Sequence, residues 1–137
     1  MIIRHTTQVK FLQSIMTDGF LNPSHNPKRF SCDKEYISFE KYTGSNTLVN
    51  LYIKLKKIKK EEAFELFFDS DLMEKDGLEL VAKFHNGGIH TKLELKDMLT
   101  EEEYNSVGDY IFVRGCVSLK YLTEECRNKL ENFMKNM

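Results

Sequence analysis

The chain has 137 residues, 41% hydrophobic and 30% charged, with 20 basic against 21 acidic side chains and a net charge of -1. That length corresponds to a single domain, 1–137, able to bury a core without disulfide or metal support. The composition excludes a disordered tail, a fibre and a low-complexity linker, and the balanced charge disfavours gripping nucleic acid through bulk positive charge.

No apolar run nears the roughly 20 residues that span a bilayer. Arg4, His5, Thr6, Thr7 and Gln8 interrupt the N-terminus before a signal-peptide core forms. The three cysteines, Cys32, Cys116 and Cys126, are odd in number and far apart. That argues against a disulfide framework or a metal knuckle and for a reduced, cytoplasmic protein.

In chain order, Ile2-Ile3 begins a first strand, and Thr6 or Thr7 is placed to cap the helix after it. Val9, Leu12, Ile15 and Met16 recur at helical spacing. Gly19 stands where a left-handed cap ends such a helix, and Phe20-Leu21 returns to the core. Asn22 to Lys34 holds Pro23 and Pro27 and has little periodicity, as a lid or binding loop does. Tyr36-Ile37-Ser38-Phe39 reads as a short strand, and Thr43-Gly44-Ser45-Asn46 as a turn. Leu48 to Leu55, with Leu51, Ile53 and Leu55 on one face, reads as the next strand.

Lys54, Lys56, Lys57, Lys59 and Lys60 follow. We read them as a solvated strand end running into a helix start at Glu61-Glu62, because no aromatics interleave the lysines as in a single-strand nucleic-acid groove. Ala63 to Phe84 fits either a strand through Phe64, Leu66, Phe67 and Phe68 or helical turns at Leu72, Leu78, Leu80 and Val81 broken at Gly77. His85-Asn86-Gly87-Gly88 is a turn, and Ile89 to Leu95 is strand or helix entry. Thr100 and Glu103 have the spacing of a capping box. Tyr110 to Val113 and Cys116 to Leu119 flank Arg114-Gly115, as one bulged strand or a bent pair. Thr123 caps a last helix whose apolar face is Cys126, Leu130, Phe133 and Met134. The expected fold class is α+β, with short strands and helices at both ends.

Few chemical motifs stand out. His5, His25, His85 and His90 supply no zinc pattern, since His85 and His90 lack a third ligand at a familiar spacing; no metal is expected. No phosphate-binding loop, nucleophile elbow or zinc-protease helix motif occurs. Cys116 and Cys126 read as small core residues rather than nucleophiles.

What remains is an ordered, discontinuous set. Arg4-His5-Thr6-Thr7 ends a strand, a helix leads to Gly19-Phe20-Leu21, a loop leads to Tyr36-Ile37-Ser38, and Asp109 opens the last long strand. In IRHTT…FLQSIMTDGFL, YISF and GDYIFVRGCVSLKYL, three pieces covering about half the chain, the sequence resembles the ADP-ribosyltransferase superfamily. That superfamily includes bacterial nucleic-acid-modifying toxins, RNA 2′-phosphotransferases and small phage-borne members. The resemblance implies small split mixed β-sheets with flanking helices. It also implies NAD as substrate in a cleft between them, and transfer of ADP-ribose to a protein or nucleic-acid acceptor.

By the same resemblance, His5 binds a ribose of NAD and the main chain at Thr6 holds the nicotinamide amide. Tyr36 and Ser38 shape the pocket floor, and Tyr42 stacks on nicotinamide. Asp109 stands where the family carries a glutamate, one methylene longer; Glu101, Glu102 and Glu103 are the nearest alternatives. The chemistry needs such groups. Breaking the nicotinamide–ribose bond builds oxocarbenium character that a carboxylate stabilises, and a serine hydroxyl such as that of Ser38 orients the carboxylate. The shortened acid and the lysine run also fit an alternative: a non-catalytic binding module or inhibitor docking on a macromolecular partner.

Overall fold

The structure is a computed structural model that describes residues 1–23, 36–81 and 96–136. His25, Cys32, His85, His90, the turn after His85, the segment Ile89 to Leu95 and most of the expected loop from Asn22 to Lys34 lie outside the described residues.

In chain order the elements are β1 (Ile2–Gln8), α1 (Leu12–Asp18), β2 (Phe20–Leu21), β3 (Tyr36–Lys41), α2 (Thr47–Lys56), β4 (Ala63–Asp69), α3 (Ser70–Lys75), β5 (Leu80–Val81), α4 (Glu101–Ser106), β6 (Tyr110–Arg114), β7 (Val117–Ser118) and α5 (Glu124–Lys135). Two sheets form, a five-stranded one in the order β4-β1-β3-β6-β5 and a two-stranded one of β2 and β7. All their registered pairings are antiparallel. This is the α+β class with split sheets and flanking helices that the sequence implied.

β1 lies between β4 and β3, so both of its hydrogen-bonding edges are paired. Successive residues of a strand point to opposite faces. Ile3, His5 and Thr7 therefore share one face, paired with Phe68, Leu66 and Phe64 of β4. This inner face carries the main core: Ile37, Phe39 and Val113 pack with Leu12 of α1, Leu21 of β2, Val117 of β7 and Cys126 and Leu130 of α5. The outer face carries Arg4 and Glu40, and its α2 end is closed by Leu48 and Leu51 against Val107 and Tyr110.

Several local signals appear as expected. Gly19 takes φ 78° and its N–H closes on the Ile15 carbonyl. Thr100 and Glu103 cap one another's backbone at the start of α4. The Thr123 hydroxyl accepts from the Cys126 N–H and starts α5. Gly115, at φ 85°, separates β6 from β7, which belong to different sheets, so the bent pair is the form adopted.

Other expectations are corrected. Leu48 to Leu55 is not a strand but α2. Leu48, Leu51 and Tyr52 turn inward at helical spacing, while Leu55 is 59% exposed. Thr6 and Thr7 cap no helix, because the β4 ladder holds β1 extended as far as Gln8 opposite Ala63. Glu61-Glu62 ends a single 3-10 turn leading into β4. Cys116 is exposed beside β7, its thiol donating to Asn22 Oδ1 at 3.2 Å. Cys126 is buried as expected.

Candidate active site

Alternation along β1 places His5 on the inner face and its neighbours Arg4 and Thr6 on the outer one. The His5 ring centroid is 5.4 Å from that of Phe39. Its Nδ1 lies 2.8 Å from the Ser38 carbonyl oxygen. A carbonyl only accepts, so Nδ1 carries the proton, and in the neutral ring Nε2 is the acceptor. Burial holds the imidazole below its ordinary value of 6.5, and the bond to Ser38 opposes that shift.

Asp109 is exposed and immediately precedes β6. Its carbonyl accepts from the Lys41 N–H at 2.9 Å, which continues the β3–β6 ladder by one step. Alternation with Ile111 and Val113 then puts Asp109 on the His5 face. Phe39 pairs with Ile111 on that face and Asp109 comes level with Lys41 and Ile3, so Asp109 stands two strands across and two residues along from His5, about 12 Å by ladder spacing.

The remaining sequence-derived candidates lie on the outer face. Ser38 is exposed, opposite Phe112. Tyr36 is 4% exposed and packs with Phe112, Val81 and Tyr110. Thr6 is half-buried, opposite Glu65. Tyr42 is held by the Arg4 guanidinium, 5.0 Å from its ring centre, and by the Phe67 ring at 5.0 Å. The structure thus joins His5 and Asp109 on one face and Thr6, Tyr36, Ser38 and Tyr42 on the other. Of Ser38, the main-chain carbonyl reaches His5. Glu103 is engaged in capping Thr100.

Arg4 and Glu40 escaped the sequence reading. Arg4 is 1% exposed. Its Nε and Nη2 engage Glu40, Nη1 reaches Glu65 at 2.8 Å, and Nη2 donates to the Ser45 carbonyl at 2.8 Å. Burial raises Glu40 above its ordinary 4.5, and Arg4 pulls it back down. A glutamate inside the apolar strand YISFE was the available signal, because a buried charge needs a partner.

Beyond β3 the chain meets the approach to Asp109. Ser45 Oγ is 3.0 Å from Ser106 Oγ, and Thr43 Oγ1 donates to the Ser106 carbonyl at 2.6 Å. Gly108 packs so closely on β3 that a Cβ there would sit 2.2 Å from the Lys41 carbonyl oxygen. An open groove of about 390 Å³ between α1 and α5, lined by Met16, Leu119, Leu122 and Leu130, contains none of the candidate residues. Among the described residues no cluster of His, Cys, Asp and Glu could hold a metal ion.

No protein-family model matches this chain, and no curated protein matches it significantly. Solved structures do. DarT of Thermus sp. 2.9 in complex with carba-NAD+ is 17% identical, with a TM-score of 0.60 over 98% of this chain and 89% of that one. The same protein in complex with NAD+ gives 16% identity and a TM-score of 0.60 over 98% and 88%. DarT is a bacterial ADP-ribosyltransferase. The split antiparallel sheets and flanking helices of the present chain therefore form an ADP-ribosyltransferase-like fold.

Proposed function

We propose that this chain cleaves NAD at the nicotinamide–ribose bond and transfers ADP-ribose to a macromolecular acceptor, a protein or a nucleic acid. The supporting observation is the fold likeness, over 98% of the chain, to a protein solved with NAD+. The placement of His5 and Asp109 on one sheet face agrees with it.

In this reading NAD lies where the inner face reaches solvent, at half-buried His5 and exposed Asp109. Neutral His5 accepts a hydrogen bond from a ribose hydroxyl at Nε2, with its ring fixed by the Ser38 carbonyl. The neighbouring main chain at Thr6 holds the nicotinamide amide. The carboxylate of Asp109 faces the anomeric carbon and stabilises the positive charge that builds there. The C1′–N bond breaks with its electron pair going to nicotinamide, which leaves neutral. The acceptor's nucleophile bonds to C1′ and gives up its proton. Tyr36 and Tyr42 brace β3 from its outer side.

The test is a thermal titration with NAD, followed by mass spectrometry of protein and nucleic-acid acceptors. Asp109→Asn is expected to keep NAD binding and lose transfer. Asp109→Glu, one methylene longer, is expected to transfer at least as fast as the unaltered chain. No NAD-dependent shift together with no added ADP-ribose mass rejects the reading.

A second reading has its own observation. Lys54, Lys56, Lys57, Lys59 and Lys60 are all exposed at the end of α2 and just beyond, and the Lys56 ammonium lies 5.9 Å over Tyr52. A non-catalytic module that docks an acidic partner through this patch would lose its effect on charge reversal at Lys56, Lys57 and Lys59. It would keep that effect in Asp109→Ala and His5→Ala.

A further inference from the structure

Asp109 follows the end of α4 by three residues and stands just before β6, where one hydrogen bond, from the Lys41 N–H to its carbonyl, ties it to β3. The rest of its placement comes from what grips Ser106, Val107 and Gly108, namely the end of β3, the connection that follows it and the start of α2. Thr43 bonds the Ser106 carbonyl, and the hydroxyls of Ser45 and Thr47 lie 3.0 and 3.4 Å from that of Ser106. Val107 is buried against Leu48. Gly108 lies on the Lys41 carbonyl with no room for a side chain. Ser106 Oγ also donates to the Glu103 carbonyl at 2.6 Å, tying the clamp to α4.

That connection is itself held from within the sheet. Arg4 is the cation of the cluster: it takes Glu40 of β3 and Glu65 of β4 and also donates to the Ser45 carbonyl. It is adjacent to His5 but points to the other face. One strand therefore presents His5 on the inner side and fixes, through Arg4 on the outer side, the loop that clamps the segment before Asp109.

We propose that Arg4, Ser45 and Ser106 are positioning residues, which together hold Asp109 at its place over the His5 face. The proposal rests on the NAD reading above. It assigns these residues no contact with NAD; they act on the acid through the backbone. Arginine suits the place because its rigid planar fork spreads donors on three nitrogens toward three acceptors, whereas the three donors of an ammonium share one nitrogen on a flexible stem.

The experiment uses the full chain. NAD turnover and backbone amide hydrogen exchange are measured for the unaltered protein, Ser106→Ala, Ser106→Thr and Arg4→Lys. Ser106 is only half-buried, so its variants test the clamp even where an Arg4 variant fails to fold. Ser106→Ala is expected to lower kcat by about ten- to a hundredfold, the cost of a misplaced reacting group, with KM for NAD changed less than about twofold. Exchange of the Val107 to Asp109 amides is expected to rise about tenfold or more while that of α5 stays fixed. Ser106→Thr, which keeps the hydroxyl, restores both, and folded Arg4→Lys repeats the alanine pattern. Unmoved exchange at Val107 to Asp109, or a KM that rises as kcat falls, overturns the proposal. Absence of NAD turnover in the unaltered chain fails the underlying reading and takes the proposal with it. Turnover with Ser106→Ala indistinguishable from the unaltered chain fails the proposal alone.

Discussion

Arg4 carries its charge to a place where 1% of the residue meets solvent, among two carboxylates and a carbonyl. Removing one partner of such a buried pair leaves the other uncompensated, so Arg4→Met is expected to cost about 3–5 kcal/mol in urea unfolding at pH 7. The cost has a definite pH dependence. Burial raises Glu40 in the folded state above its ordinary 4.5. The folded chain then keeps that proton to higher pH than the unfolded chain. Stability from this source is full below 4.5 and is lost as pH rises through the folded value. Without Arg4 the folded value rises further, so the cost of Arg4→Met shrinks as pH falls from 7 toward 4.5. A cost independent of pH rules out Glu40 as the stranded partner. His5 has the opposite sign. Burial lowers it in the folded state, so the unfolded chain binds the extra proton first. Its stability contribution is full above 6.5 and is lost as pH falls to the folded value. His5→Phe keeps an aromatic against Phe39 without a titrating nitrogen. The unaltered chain should lose more stability than His5→Phe between pH 7.5 and 5.5, read from urea midpoints. Parallel losses refute a His5 held neutral in the fold.

Among the elements, β3 and the chain that leaves it decide the geometry. Gly108→Ala tests this contact, since its Cβ would lie 2.2 Å from the Lys41 carbonyl oxygen, an atom of the backbone. Either β3 or the approach to β6 must shift, at an expected cost of about 1–3 kcal/mol, with loss of NAD turnover beyond what the lost stability explains. Unchanged stability by calorimetry refutes the contact. The same stretch marks the limit of the sequence. The caps at Gly19, Thr100 and Thr123 were legible because each depends on a few neighbouring residues. The helix α2 was not. Leu51, Ile53 and Leu55 alternate as a strand does, yet Leu48, Leu51, Tyr52 and Leu55 also repeat as a helix does. Over so short a run both periods fit, and packing against Val107 and Tyr110 selects the helix. The candidate site was half legible for a similar reason. Alternation alone separates His5 from Thr6 and Ile37 from Ser38. That His5 and Asp109 share a face depends on the registers β1–β3–β6, which join segments far apart in sequence. The buried Arg4 cluster depends on those registers too.

For the whole molecule, the strand proposed to bind NAD, β1, is not an edge strand. β1 is flanked by β4 and β3 and lies over the core that joins both sheets, α1 and α5. Fraying of an edge such as β5 leaves His5 in place. A site formed by His5 and Asp109 is then lost only when the core itself opens. The binding energy of its ligand must therefore appear in the global unfolding transition rather than in a local one. Binding to the folded state alone adds RT ln(1 + [L]/Kd), about 1.4 kcal/mol when NAD is at ten times Kd and about 2.7 kcal/mol at a hundred times. For a domain of this size those energies correspond to a rise in Tm of roughly 3–6 °C and then about as much again. The expected calorimetric result is a single transition that moves upward in near-equal steps for each tenfold increase in NAD, with the whole series displaced to higher NAD in His5→Ala because the ribose contact is lost. A transition that stays fixed up to millimolar NAD contradicts binding at this face. One that splits in two, with only the lower part moving, places the ligand on a segment that unfolds independently of β1.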